Sequence, residues 1–161
     1  MRRILLASLM LLASAAFADT KVNSADVDLG VATGGINIGG SYEHLYNGAQ
    51  GIGGQLQLFQ KDKDRGAPGI ILIGGFTAYH FYKGTWDFSL APGMNIIAIS
   101  AATANGKDTT TLGPSMQLGL TQAINDQFAV GFNYDTAWVW ADKDYRGPLI
   151  NTLNVRLKIN F

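Results

Sequence analysis

His44 and His80 are the only imidazoles in a chain of 161 residues that contains no cysteine. Together they bound the side-chain chemistry on offer. An imidazole held by a carboxylate on one ring nitrogen can use the other as a general base toward a nucleophile. His80 and Asp87 flank Lys83-Gly84, and a hairpin centred on that dipeptide predicts Phe81 opposite Trp86, Tyr79 opposite Phe88 and His80 opposite Asp87. Such a pair reads in two ways: an oriented imidazole awaiting a nucleophile, or a hydrogen-bonded pair that satisfies polar groups in a closed interior. Its place beside a turn favours the second. His44, next to Glu43 and on the face of Tyr42, reads as an interfacial polar residue. The run Gly51–Gly54 (GIGG) lacks the lysine and the helix of a phosphate-binding loop. No spacing of His, Asp and Glu reads as a metal site, and no cofactor motif is present. Without cysteine there are no disulfides, no thiol catalysis, no Cys-zinc site and no lipid attachment through an N-terminal cysteine.

The elements that must position these residues begin after a leader. Met1-Arg2-Arg3 is followed by an apolar run, Ile4 to Leu12, then by small residues ending Ala16-Phe17-Ala18. This is the three-part pattern of a secretory signal, with an apolar core too short to span a bilayer as a helix. We therefore expect residues 1–18 to be a signal peptide and 19–161 a single exported domain. All 20 glycines fall in that domain, where 10 basic residues face 12 acidic ones. This balance leaves no electrostatic footprint for nucleic acid.

The exported part alternates with period two. Leu153, Val155, Leu157, Ile159 and Phe161 share one face and Asn154, Arg156, Lys158 and Asn160 the other. Phe128, Val130, Phe132 and Tyr134 likewise oppose Ala129, Gly131, Asn133 and Asp135. Alternation of this kind marks strands whose two faces meet different surroundings. Eight segments follow the pattern: 22–33, 35–46, 51–61, 69–82, 85–103, 109–121, 127–140 and 149–161. Each has the roughly 9–11 residues a tilted strand needs to cross a bilayer. Pro92-Gly93 interrupts the fifth and predicts a bulge.

The connections alternate too. Asn47–Gln50, Lys83-Gly84 and Gln122–Asp126 are short, whereas Lys61–Pro68, Asn105–Asp108 and Ala141–Pro148 hold 11 of the 22 charges after Ala18. Short turns on one side and charged loops on the other fit a bacterial outer-membrane barrel. The polar face is mostly Gly, Ser, Thr, Asn and Gln, suited to a narrow packed lumen. Aromatics cluster toward strand ends, with Phe81, Trp86, Phe128 and Phe161 on the turn side and Trp138 and Trp140 on the loop side. Two such girdles match the two interfaces of a bilayer. The expected fold is an all-β, eight-stranded, antiparallel up-and-down transmembrane barrel with short periplasmic turns. A soluble ligand-binding barrel of lipocalin type, with the apolar face inward, is the alternative.

These features, with a final strand ending LNVRLKINF, resemble the small OmpA/OmpX-type outer-membrane barrels. The likeness spans the exported chain and is architectural. It implies a monomer in contact with outer-membrane lipid and lipopolysaccharide. It also implies that Phe161, with Ile159 and Leu157, is presented to the outer-membrane assembly machinery. Within such a barrel Asp26, Asp28, Glu43, His80, Asp87, Asp135, Arg156 and Lys158 form a luminal polar network. Closure sets Arg156 and Lys158 beside Asp26 and Asp28, where opposite charges can pair across the seam. Lys63, Arg65, Lys143 and Arg146 are loop residues suited to lipopolysaccharide phosphates or an extracellular partner.

Three functions follow from this placement. The leading one is a non-enzymatic structural or surface-interaction protein whose lumen is plugged by polar side chains. A narrow channel for ions or very small solutes is the second, since rings of charge can select ions. A lipid A-modifying enzyme is the third. Against it, the deacylase type carries His and Ser two residues apart, where this chain has Tyr82 after His80 and Tyr46 after His44. The palmitoyltransferase type has a leading amphipathic helix and an Asp-Ser pair, neither of which this sequence offers.

Overall fold

The computed structural model describes residues 22–32, 35–60, 62, 67–101, 108–139 and 149–161. Eight strands occupy most of this: β1 (Asn23–Ala32), β2 (Gly35–Leu45), β3 (Gln50–Phe59), β4 (Gly69–Lys83), β5 (Trp86–Ser100), β6 (Thr109–Ala123), β7 (Phe128–Trp138) and β8 (Leu149–Asn160). Each is antiparallel to its neighbours, and β1 pairs with β8, so the sheet closes into an up-and-down barrel. The seam is tied at its turn end by Asn23 N–H to Phe161 O (3.0 Å) and Phe161 N–H to Asn23 O (2.9 Å). The eight segments read from periodicity recur with ends moved by at most three residues, where ladders stop short of the polar connections.

The sense of the alternation is decided by exposure. Leu29 and Phe132 are each 58% exposed and Leu157 is 44% exposed, whereas Gln57 is 3% and Asn154 1% exposed. The apolar face thus looks outward and the polar face fills the interior, the reverse of a soluble ligand-binding barrel. Burying polar groups beneath a greasy exterior is favourable only where the exterior meets hydrocarbon.

The β4–β5 hairpin corrects the expected register. Lys83 pairs with Trp86, Tyr82 with Asp87, Phe81 with Phe88 and His80 with Ser89. His80 therefore lies diagonal to Asp87 rather than opposite it. The reason is the loop: Gly84 and Thr85 form a two-residue turn, with Gly84 at φ +61°. A positive φ at the first central position is the type II′ solution, which matches strand twist and favours glycine. The shift is two residues, so every side chain keeps its face.

No bulge forms at Pro92-Gly93. Phe76 pairs with Gly93 and Tyr79 with Leu90 in one register, and Ala91, Pro92 and Gly93 pair continuously with Gln117, Met116 and Ser115. The ladder to β4 merely skips Thr77 and Ala78. Proline lacks the N–H for that side but leaves the chain extended. Alternation continues beyond it, with Asn95 buried and Met94 and Ile96 exposed.

Replacing Gly84 by alanine puts a Cβ in a conformation disfavoured by about 1–2 kcal/mol. A lowered urea midpoint of the micelle-refolded protein, with its spectrum unchanged, is the expected result.

Candidate functional site

The inward side chains sort by height into three tiers. At the turn end is a cluster of charges. His80, carried by β4, is 5% exposed and sits between two carboxylates. Its Nδ1 lies 2.9 Å from both Asp87 oxygens and its Nε2 2.8 Å from Glu43 Oε1. Lys158 of β8 comes within 3.5 Å of Asp87 Oδ2 and 3.9 Å of Glu43 Oε2. Tyr82, two residues along from His80, stacks on the imidazole at 5.6 Å between centroids and 9° between planes. Gly51 makes room for the cluster, because a Cβ there would overlap the Glu43 carboxylate.

Just above, Arg156 of β8 grips Asp28 of β1 with two bonds, Nε to Oδ1 (2.8 Å) and Nη2 to Oδ2 (2.7 Å). Its Nε also lies 3.5 Å from Asp26 Oδ2. Asp26 accepts from Ser41 N–H (2.9 Å) and Ser41 Oγ–H (2.7 Å). The pairing expected across the β1–β8 seam is therefore made by Arg156. Lys158, though level with Asp26 in the ladder, turns instead to Glu43 and Asp87.

The middle tier is a belt of amides around Asp135. The Asp135 carboxylate accepts from Asn133 Nδ2 (2.7 Å), Asn154 Nδ2 (2.8 Å), Gln57 Nε2 (2.9 Å) and Thr152 Oγ1 (3.1 Å). Gln55 donates to Asn95 Oδ1 (2.8 Å) and accepts from Gln117.

The loop-end tier is apolar. Ile70 and Leu72 of β4, Ile97 and Ile99 of β5, Ala137 and Val139 near the end of β7, and Ile150 of β8 form one buried cluster, with Phe59 packed against it. This corrects the expectation of a lumen plugged by polar side chains alone. The sequence carried the signal: the unbroken runs Ile70–Ile73 and Ile96–Ile99 are apolar on both strand faces.

These positions settle what His80 can do. With a carboxylate at each ring nitrogen, neither is left to take a proton from a nucleophile. Ser89 is its direct cross-strand neighbour, yet the Nε2 that a hydroxyl would need is held by Glu43. Outside the barrel, His44 Nδ1 lies 2.9 Å from Asn23 Oδ1, which also accepts from the Tyr42 hydroxyl at 2.7 Å. Tyr42 packs against Phe161 with centroids 6.3 Å apart. Phe81, Trp86, Phe128 and Trp138 are exposed on the outer face. Tyr79 and Phe88 join the turn-side group, which the girdle read from sequence had missed. Trp140 and the loop candidates Lys63, Arg65, Lys143 and Arg146 lie outside the described residues, as does the leader 1–18. Among the described residues, no group of three or more His, Asp or Glu side chains could hold a metal ion.

With this geometry in view, comparison with known proteins is informative about fold alone. No protein-family model and no curated protein sequence matches the chain. Solved structures do. The N-terminal β-barrel domain of Pseudomonas aeruginosa OprF superposes with a TM-score of 0.70 at 12% identity, covering 88% of this chain and 98% of that one. Neisserial surface protein A (NspA) gives 0.66 at 14%, covering 86% and 96%. The outer membrane enzyme PagL gives 0.56 at 10%, covering 86% and 99%. The chain has the fold of the small eight-stranded outer-membrane barrels, a fold that houses at least one enzyme.

The Arg156–Asp28 pair is testable. Arg156→Met should cost about 3–5 kcal/mol, because it strands a buried carboxylate. Adding Asp28→Leu should restore much of that loss, and a double-mutant cycle of urea unfolding measures the coupling.

Proposed function

We propose that this protein is a non-enzymatic outer-membrane barrel that does not conduct and that serves a structural or surface-interaction role. One observation carries the reading: the loop end of the lumen is filled by Ile70, Leu72, Ile97, Ile99, Ala137, Val139 and Ile150. An eight-stranded interior is just wide enough for side chains to fill. A hydrated ion gains nothing from an aliphatic tier that can replace none of its water ligands. The charged tier beneath is likewise occupied by its own ion pairs. Against an enzymatic role stands the engagement of both His80 nitrogens by Glu43 and Asp87.

On this reading the outward apolar face meets outer-membrane lipid, and the monomer is inserted by the assembly machinery through its last strand. The loop surface then faces the outside, where Lys63, Arg65, Lys143 and Arg146 are candidates for contact with lipopolysaccharide or an extracellular partner.

Planar-bilayer recordings of the refolded protein should show no discrete steps. The double variant Leu72→Gly, Ile97→Gly, which thins the aliphatic tier, should introduce them. Steps in the unaltered protein would overturn the sealed-lumen reading. Lipid A from cells with and without the protein should give the same mass spectrum, and a changed acyl pattern would establish an enzyme.

A further inference from the structure

The outer wall between the two aromatic girdles is largely apolar, and hydrocarbon offers a polar side chain there no partner of its own. On β7 and β8 three polar side chains meet on that wall. Thr136 and Asn151 face each other across the ladder, and the Tyr134 hydroxyl donates to Asn151 Oδ1 at 3.0 Å. Parity sets all three outward, on the face of the exposed Phe132, Trp138, Leu153 and Val155.

Their height is informative. The Thr136–Asn151 pair stands two residues further from the loops than the Trp138–Leu149 pair. At about 3.3 Å per residue and a strand tilt of about 40°, that is about 5 Å beneath the loop-side girdle. A lipid headgroup gives way to its acyl chains near this depth. Toward the turns the wall continues as Leu153, Phe132 and Val155, all apolar and exposed. A polar shelf above an apolar slope matches the shoulder and tail of an amphiphile.

The shelf offers both kinds of hydrogen-bonding group. The Tyr134 phenol oxygen, having donated to Asn151, keeps its acceptor lone pairs, and the Thr136 hydroxyl both donates and accepts. The ester carbonyls of an ordinary phospholipid only accept. Lipid A, the acylated anchor of lipopolysaccharide, attaches chains through amides and carries hydroxyls on them, so it supplies donors as well as acceptors at this depth.

We propose that Tyr134, Thr136 and Asn151 form a wall site that hydrogen-bonds the amide and hydroxyl groups of one lipid A acyl chain, whose tail lies along Leu153, Phe132 and Val155. The site rests on the outer-membrane reading and adds to it a contact unlike that of the basic loop residues. It is neutral and lies beneath the headgroups, so salt does not screen it.

The test uses the full mature chain folded into phosphatidylcholine vesicles doped with lipid A or with cardiolipin, which also bears phosphates but has only ester-linked chains. The urea midpoint should rise with lipid A, keep that rise in high salt, and not rise with cardiolipin. Native mass spectrometry from mixed micelles should show lipid A retained in preference to cardiolipin. Tyr134→Phe and Thr136→Val should each weaken that retention about threefold to tenfold, the worth of one hydrogen bond. Tyr79→Phe, at an exposed tyrosine on the turn side, should leave it unchanged.

Equal stabilisation by cardiolipin, or a lipid A effect abolished by salt, would overturn the proposal in favour of phosphate contacts. Undiminished retention in both shelf variants would overturn it equally. A dimer in lipid-free micelles that is lost in Tyr134→Phe would instead seat a second copy of the chain on the patch. Failure to insert into either vesicle would sink the outer-membrane reading itself, an outcome distinct from insertion without preference for lipid A.

Discussion

Backbone satisfaction is the constraint on which this structure rests. In hydrocarbon an unpaired N–H or C=O has no water to turn to and costs several kcal/mol. A sheet in that medium must therefore have no edge. The β1–β8 ladder, from Ser24 with Asn160 to Ala32 with Thr152, removes the last one. Closure then dictates the rest. Outward side chains must be apolar because they replace lipid contacts, and inward ones must fill a narrow cylinder without leaving polar groups unpaired.

The interior meets most of that demand, in different ways along its height, although the Asn37 amide, Asn95 Nδ2 and the Ser115 hydroxyl are buried without a partner. Near the turns, charges neutralise one another in pairs and triads around His80 and Arg156. At mid-height, long amides reach across the cylinder, as Gln57 does to Asp135. Toward the loops, aliphatic side chains pack as they would in a soluble core. The order has a physical logic. Ion pairs sit where partners from several strands can be held together, while the aliphatic tier excludes water at the other end and lowers the local dielectric for the charges below.

Much of the site was legible as residue types and faces, and less of it as partnerships. Asp26, Asp28, Glu43, Asp87, Asp135, Arg156 and Lys158 are placed on one polar face by parity, because period two assigns a face to every residue of a strand, and the aromatic girdles on the other face turn this one toward the lumen. The pairing of Lys158 with Glu43 and Asp87 was not legible. A lysine side chain spans several ångströms, and ladder proximity to Asp26 does not bind it. The contact of His80 with Glu43 joins β4 to β2, two strands that share no ladder. Only the curvature of a small barrel brings them within 2.8 Å.

What this chain settles without its fold is the alternation, the number of strands and the short turns between them, because these are local: a strand's faces follow from its own residues and a two-residue loop from its glycine. What needed the tertiary structure was the partnering of luminal charges across strands and the stratified filling of the lumen. Both depend on the radius and tilt at which eight strands close, and no window along the sequence contains that geometry.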